Sequence, residues 1–344
     1  MSTVVGSPFI APAGRVGAVM RQVLYALVPA AAVYVYWFGW GVAINLLLAS
    51  LTALAAEALM LWVRRRPVGL FLSDGSAVLT GVLLGFALPP LAPWWLAVLG
   101  TAFAIVAAKH LYGGLGFNPF NPAMVGFVLL LISFPKDMSM WPDPVSPQLH
   151  ALGFLDAWHT VVAGHLPSGA GVDAVSSATP LDAVRTGVGL GHAVDAIRNG
   201  DVFGHFGGTG SEWVNLALLG GGLWLLWRRV VSWHIPVALL ATIALMAGVF
   251  HLLGPERYAD PMFHLLTGAS LLGAFFIATD PVSAATTPRG RLLYGAGIGA
   301  FTYIIRTWGG YPDGIAFAVL LMNLAAPTID AYTRPRLFGQ GGRS

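Results

Sequence analysis

Apolar stretches of about 20 residues recur along this chain, the length that carries a helix through the hydrocarbon of a bilayer. Ten are expected to span: roughly 22–39, 41–63, 76–92, 94–112, 121–135, 212–228, 235–253, 262–279, 292–308 and 314–332. Only 10% of the 344 residues are charged and 56% are hydrophobic, against about 25% charged in an ordinary soluble chain. Lipid is therefore the solvent for most of the sequence. Several of its 43 glycines and 23 prolines sit inside apolar segments, among them Pro29, Gly221 and Pro327, as in membrane helices generally. The fold class expected is an all-α integral membrane protein.

Basic residues favour the cytoplasmic side of a membrane. With the N-terminus inside, Arg15, Arg21, Arg64, Arg65, Arg66, Lys109, Arg228, Arg229, Arg289, Arg291, Arg334, Arg336 and Arg343 fall at the cytoplasmic face. Lys136, Arg185, Arg198, Arg257 and Arg306 fall outside. Both termini are therefore expected in the cytoplasm. The N-terminal stretch lacks a small-residue cleavage site and reads as a retained first helix. The net charge of +3 is small and scattered, which argues against nucleic acid as a partner. The absence of cysteine excludes disulfides, thiolate zinc sites and cysteine-ligated iron–sulfur clusters in this chain.

The pattern divides the chain into a first five-helix half (1–135), one long polar loop (136–211) and a second five-helix half (212–344). The loop lies outside the cytoplasm in this reading. With Glu212 at its edge it holds eight of the fifteen acidic residues. A weak internal echo, Thr80-Gly81 against Thr267-Gly268 and Phe127–Pro135 against Phe317–Pro327, suggests two halves inverted relative to each other.

The loop carries the run Asp173-Ala-Val-Ser176-Ser177-Ala178-Thr179. Read locally, Thr179-Pro180-Leu181-Asp182 is a helix start: a hydroxyl cap, proline at the first position and an acid in the first turn. A short helix over 180–187 follows. The same run resembles the sequence at which a flavin transferase esterifies the phosphate of FMN to a threonine. The two readings are compatible, because a helix N-terminus also stabilises a phosphate. Arg185 is a candidate for charge compensation there, and Asp182 opposes it.

Three further runs extend the resemblance over nearly the whole chain: Gly116-Phe-Asn118-Pro-Phe-Asn121-Pro-Ala-Met-Val-Gly126, Thr279-Asp-Pro-Val-Ser283, and Arg306-Thr-Trp-Gly-Gly-Tyr-Pro-Asp313-Gly314. They look like the RnfD/NqrB family, which comprises RnfD of the Rnf ion-translocating electron-transport complex and, related to it, NqrB of the sodium-pumping NADH:quinone reductase. The resemblance implies FMN covalently bound through a phosphoester to Thr179, with Asp173, Ser176 and Ser177 recognised by the transferase. It implies partner subunits, among them a second FMN carrier and iron–sulfur proteins, in a bacterial inner membrane with the flavin loop on the periplasmic side. Electron flow between ferredoxin and NAD sites on those partners would be coupled to Na⁺ or H⁺ movement. The family leaves room for riboflavin, but no residue here marks a site for it. The chain has Ser-Ser-Ala-Thr where the family often has Ser-Gly-Ala-Thr.

Ionisable and polar residues at membrane depth are functional candidates by default. Glu57 reads either as a carboxylate reaching toward Arg64–Arg66 or as part of a cation or proton relay. Asn118 and Asn121, each before a proline, either start a helix or free carbonyls for a cation. Arg306 is expected to pair with Asp313, or to hold a flavin phosphate or carbonyl. Asp74, Asp280 and Asp330 read as interfacial caps. Gly295 and Gly299 share a helix face and suggest close packing. No histidine spacing suits a metal. From another class, ten helices in inverted halves would equally suit a solute channel or secondary transporter.

Overall fold

The computed structural model describes residues 14–311 and 313–334. Arg336, Arg343 and Pro312 lie outside the described residues. The chain is mostly helical, and helix lies over every one of the ten apolar segments. Four helices are long and apolar enough to cross a membrane: Val16–Phe38, Trp40–Val63, His234–Leu253 and Ile315–Thr333. Ser211–Trp227 and Pro288–Trp308 are also long.

The remaining segments depart from plain spans. Ser76–Ala87 and Pro122–Ser133 have 12 residues each. At 1.5 Å per residue each covers about 18 Å, short of a hydrocarbon core of about 30 Å. Proline sets these limits: Pro89-Pro90 follows the first, and Pro122 and Pro135 bracket the second. Helix Trp94–Phe103 continues as a π-helical stretch, Ala104–His110. The eighth segment is interrupted: Pro261–Leu266 stops at Thr267-Gly268, and helix resumes as Ser270–Leu272 and a π-turn, Gly273–Ile277. The Thr80-Gly81 echo does not share this geometry, because that pair lies inside a continuous helix.

One core joins both ends of the chain, running from Val23 through Leu84 and Met124 to Leu239, Phe275 and Val319. The first helix packs along Ser211–Trp227, and Pro122–Ser133 packs against Ile315–Thr333. The expected close packing of Gly295 and Gly299 is present. A Cβ at either would come within 2.6 or 2.5 Å of the carbonyl oxygens of Ile235 and Leu239, so only glycine lets these helices approach. Helices Trp40–Val63 and Ser211–Trp227 end alike. An arginine caps each, and a second, Arg65 or Arg229, takes the left-handed conformation usually left to glycine.

The loop between the helical groups is itself ordered by short elements. Trp141–Pro142 pairs antiparallel with Ser176–Ser177. Val172 and Val175 plug an apolar cluster with Leu91, Leu149 and Leu166. Helix Pro180–Gly189 is tied to the membrane body by Leu181, buried with Phe263.

Candidate functional site

Thr179 has the extended backbone of an N-cap, φ −64° and ψ 155°, and its hydroxyl accepts the N–H of Asp182 at 3.3 Å. Pro180 follows as the first helical residue, and the helix runs to Gly189, two residues beyond expectation. Upstream, the valine plugs leave Asp173 exposed, while the Ser176 hydroxyl donates to the Asp173 carbonyl at 3.0 Å. Ser177, whose strand pairs with Trp141–Pro142, and Thr179 line a cavity of about 220 Å³. Its walls are apolar and aromatic, with Tyr34, Phe38, Phe86, Phe127 and Trp141, and carry Asn215 and Asp313 as polar members. The hydroxyl is thus aligned at a helix start and opens on an aromatic chamber between the two helical groups.

Arg185 is committed elsewhere. Its Nη1 donates to the Gly310 carbonyl at 2.8 Å, which ties the capped helix to the Arg306–Gly314 turn rather than to the Thr179 hydroxyl.

Arg306 and Asp313 form the expected ion pair at 3.0 Å. The Arg306 side chain is buried, and its fork also donates to the carbonyls of His264 at 2.7 Å and Thr267 at 3.3 Å. Asp313 accepts the N–H of Ala269 at 2.7 Å. The pair therefore bridges both sides of the interruption in the eighth segment. Gly268, at φ +63°, makes the turn between them. Arg306 and Asp313 consequently shape one wall of the chamber, to which Thr267, Gly268 and Ala269 belong.

Glu57 does not reach Arg64–Arg66. It is 3% exposed and receives Lys109 Nζ at 2.7 Å. Lys109, 1% exposed, also donates to Ser76 Oγ at 2.8 Å, and Ser76 in turn donates to Asp74 at 2.6 Å. His110 Nε2 lies 3.2 Å from the same Glu57 oxygen, and His110 Nδ1 lies 3.4 Å from Arg64. Two buried charges of opposite sign satisfy each other in a low-dielectric site. Lys109 is thus buried within the protein and paired there. The π-helical stretch carries it.

Asn121 is the N-cap of Pro122–Ser133, accepting Met124 N–H at 3.3 Å, as its simple helix-start reading requires. It also joins the two helical groups. Its backbone N–H donates to Asn323 Oδ1 at 3.0 Å and its side chain to the Ile277 carbonyl at 3.4 Å. Asn323 donates in turn to Tyr294 Oη at 2.6 Å and the Ser283 carbonyl at 3.1 Å. Asn118 is buried, and its Oδ1 has no partner among the described residues. Asp74 and Asp280 hold local turns, accepting from Ser76 and from Val282 and Ser283. Asp330 instead reaches across to the turn at Thr286. Sequence reasoning missed Asn215, Asn323 and the burial of Lys109; each lies on an apolar helix where its polarity was the available signal.

A membrane protein with a chamber between two helical groups and a capped threonine in its wall agrees with what the chain is related to. It belongs to the NQR2, RnfD, RnfE family, whose model matches residues 3–339. Among similar curated proteins, the D-type subunit of the ion-translocating oxidoreductase complex of Shigella dysenteriae serotype 1 (strain Sd197) is 51% identical over 98% of both chains. The proteins of the same name from Escherichia coli (strain SMS-3-5 / SECEC) and Shigella boydii serotype 18 (strain CDC 3083-94 / BS512) match to the same extent.

Proposed function

We propose that this chain is the D-type subunit of an ion-translocating oxidoreductase complex of the bacterial inner membrane, and that it carries FMN esterified to Thr179. The ten helical segments form two inverted five-helix halves with both termini in the cytoplasm, and the 136–211 loop faces the periplasm. Partner subunits hold the ferredoxin and NAD sites, and electron passage through this chain is coupled to Na⁺ or H⁺ movement.

The observation that carries the reading is the placement of Thr179. A half-buried threonine at a helix N-terminus lines an apolar, aromatic cavity. A bound flavin would supply reversible electron transfer. The residues present fit it. The Leu181 N–H in the first turn of Pro180–Gly189 suits a phosphate, aromatic walls suit a planar ring, and a buried acceptor in the wall, Asn215 Oδ1, has no partner among the described residues. Exposed Asp173 is open to a transferase, whereas Ser176 and Ser177 are half-buried in the strand that aims Thr179. Covalent attachment keeps the group at the site without continued binding equilibrium.

For ion movement, the interior groups available are the Glu57–Lys109–His110 cluster and the Asn118 and Asn121 region. Arg306 and Asp313 serve the chamber wall.

Mass spectrometry of the peptide containing Thr179 tests the proposal directly. The expected result is the mass of an FMN adduct from full chain made with a flavin transferase, lost in Thr179→Ala together with flavin fluorescence in a denaturing gel. A peptide of unmodified mass under those conditions rejects the cofactor assignment. Because the chain has no cysteine, single introduced thiols report the topology. Ser168→Cys should react with an impermeant maleimide in intact cells, and Gly69→Cys only after lysis. The reverse pattern rejects the orientation.

A further inference from the structure

Asn215 is 3% exposed and belongs to the chamber wall. Its Nδ2 lies among three carbonyls, those of Ser211 at 3.0 Å and of Leu266 and Gly268 at 3.2 Å each. That arrangement fixes the amide: reversing it would set the side-chain oxygen against three other oxygens. The oxygen is therefore an acceptor by construction, yet it has no partner among the described residues. Three hydroxyls of the wall are already engaged. Thr209 donates to Asp201, Ser211 to Gly208 and Thr267 to Phe263, each through a main-chain carbonyl. An unpaired buried acceptor is a standing cost that a suitable ligand removes.

From this we infer that Asn215 is a ligand-positioning residue of the chamber, accepting a hydrogen bond from a ring N–H of a planar heteroaromatic group. The inference rests on the flavin reading above and deepens it. An isoalloxazine ring offers an N–H between two carbonyls, whereas a quinone offers carbonyl acceptors alone and would leave Asn215 unpaired. The residue thus orients the ring and selects against quinones in the same space. Since Nδ2 holds the carbonyls flanking the helix interruption, ring position and wall shape are set by one side chain.

The test is a mutant cycle between Asn215→Ala and Thr179→Ala in full chain made with a flavin transferase, with Asn215→Ser as the milder variant should alanine prevent folding. Two quantities are read: the melting temperature in detergent, and the visible absorption envelope of the bound flavin. A denaturing gel separately reports whether flavin is attached. The expected result is that the Asn215 variant keeps its attached flavin but shifts the absorption envelope. Its melting penalty in flavin-bearing protein should also exceed that in Thr179→Ala protein by about 2 °C or more. Equal penalties in both backgrounds with an unchanged envelope would overturn the inference and leave Asn215 a structural clamp only. If the parent protein shows no attached flavin, the cofactor reading fails first, and the gel identifies that failure as distinct.

Discussion

Lys109 Nζ lies 2.7 Å from Glu57 Oε2, with both side chains almost wholly shielded from solvent. The two residues are 52 positions apart, and the π-helical stretch Ala104–His110 brings the lysine to the carboxylate. Removing one member leaves the other charged and unpaired in a medium that solvates it poorly. Lys109→Met is expected to destabilise the protein by about 3 kcal/mol or more. The double change Glu57→Met with Lys109→Met should recover most of that loss. Thermal unfolding of the purified chain in detergent measures both; additive penalties would contradict direct pairing.

At Thr179 the hydroxyl has a structural duty besides any modification. The unmodified chain with Thr179→Ala should lose about 1 kcal/mol from the missing cap, seen as faster proteolysis or hydrogen exchange over residues 180–189. Thr179→Ser should retain the cap, because its oxygen can accept the same N–H.

Gly268 stands at φ +63°, and a Cβ there would collide with Asp313, Leu181 and Arg306. Gly268→Ala should therefore cost more than the roughly 1–2 kcal/mol of the backbone conformation alone. The damage should centre on the chamber wall, read as increased exchange at Ala269, whose N–H is held by Asp313.

Gly295→Val places a branched side chain where the Ile235 carbonyl lies 2.6 Å from a bare Cβ. Helices Pro288–Trp308 and His234–Leu253 must then separate. The expected outcome is a clear fall in melting temperature, with Gly310→Val, where a Cβ meets nothing within 4 Å among the described residues, as the mild control.

The helices were legible in the sequence because hydropathy is additive along a segment, and each predicted span holds helix. Their interruptions were not. Pro89-Pro90 and Pro135 announce the short helices, but the break at Thr267-Gly268 depends on Arg306 and Asp313 arriving from 39 and more residues away. The Thr179 cap was legible because capping is local. Asp313 was a natural partner for Arg306, only seven residues on. Glu57 misled for the opposite reason: Arg64–Arg66 are close in sequence, whereas its actual partner is remote. Asn215 gave only its polarity on an apolar helix as a sign, since its meaning comes from three carbonyls on two segments.

The chamber takes its lining from Tyr34 in the first helix through to Ile315 and Ala316 at the start of the last. A nascent chain therefore lacks this enclosure until its final hydrophobic segment has been inserted. Threading order matters accordingly: whatever occupies that space can be enclosed only after helix Ile315–Thr333 is in place, although residue 179 is translated much earlier.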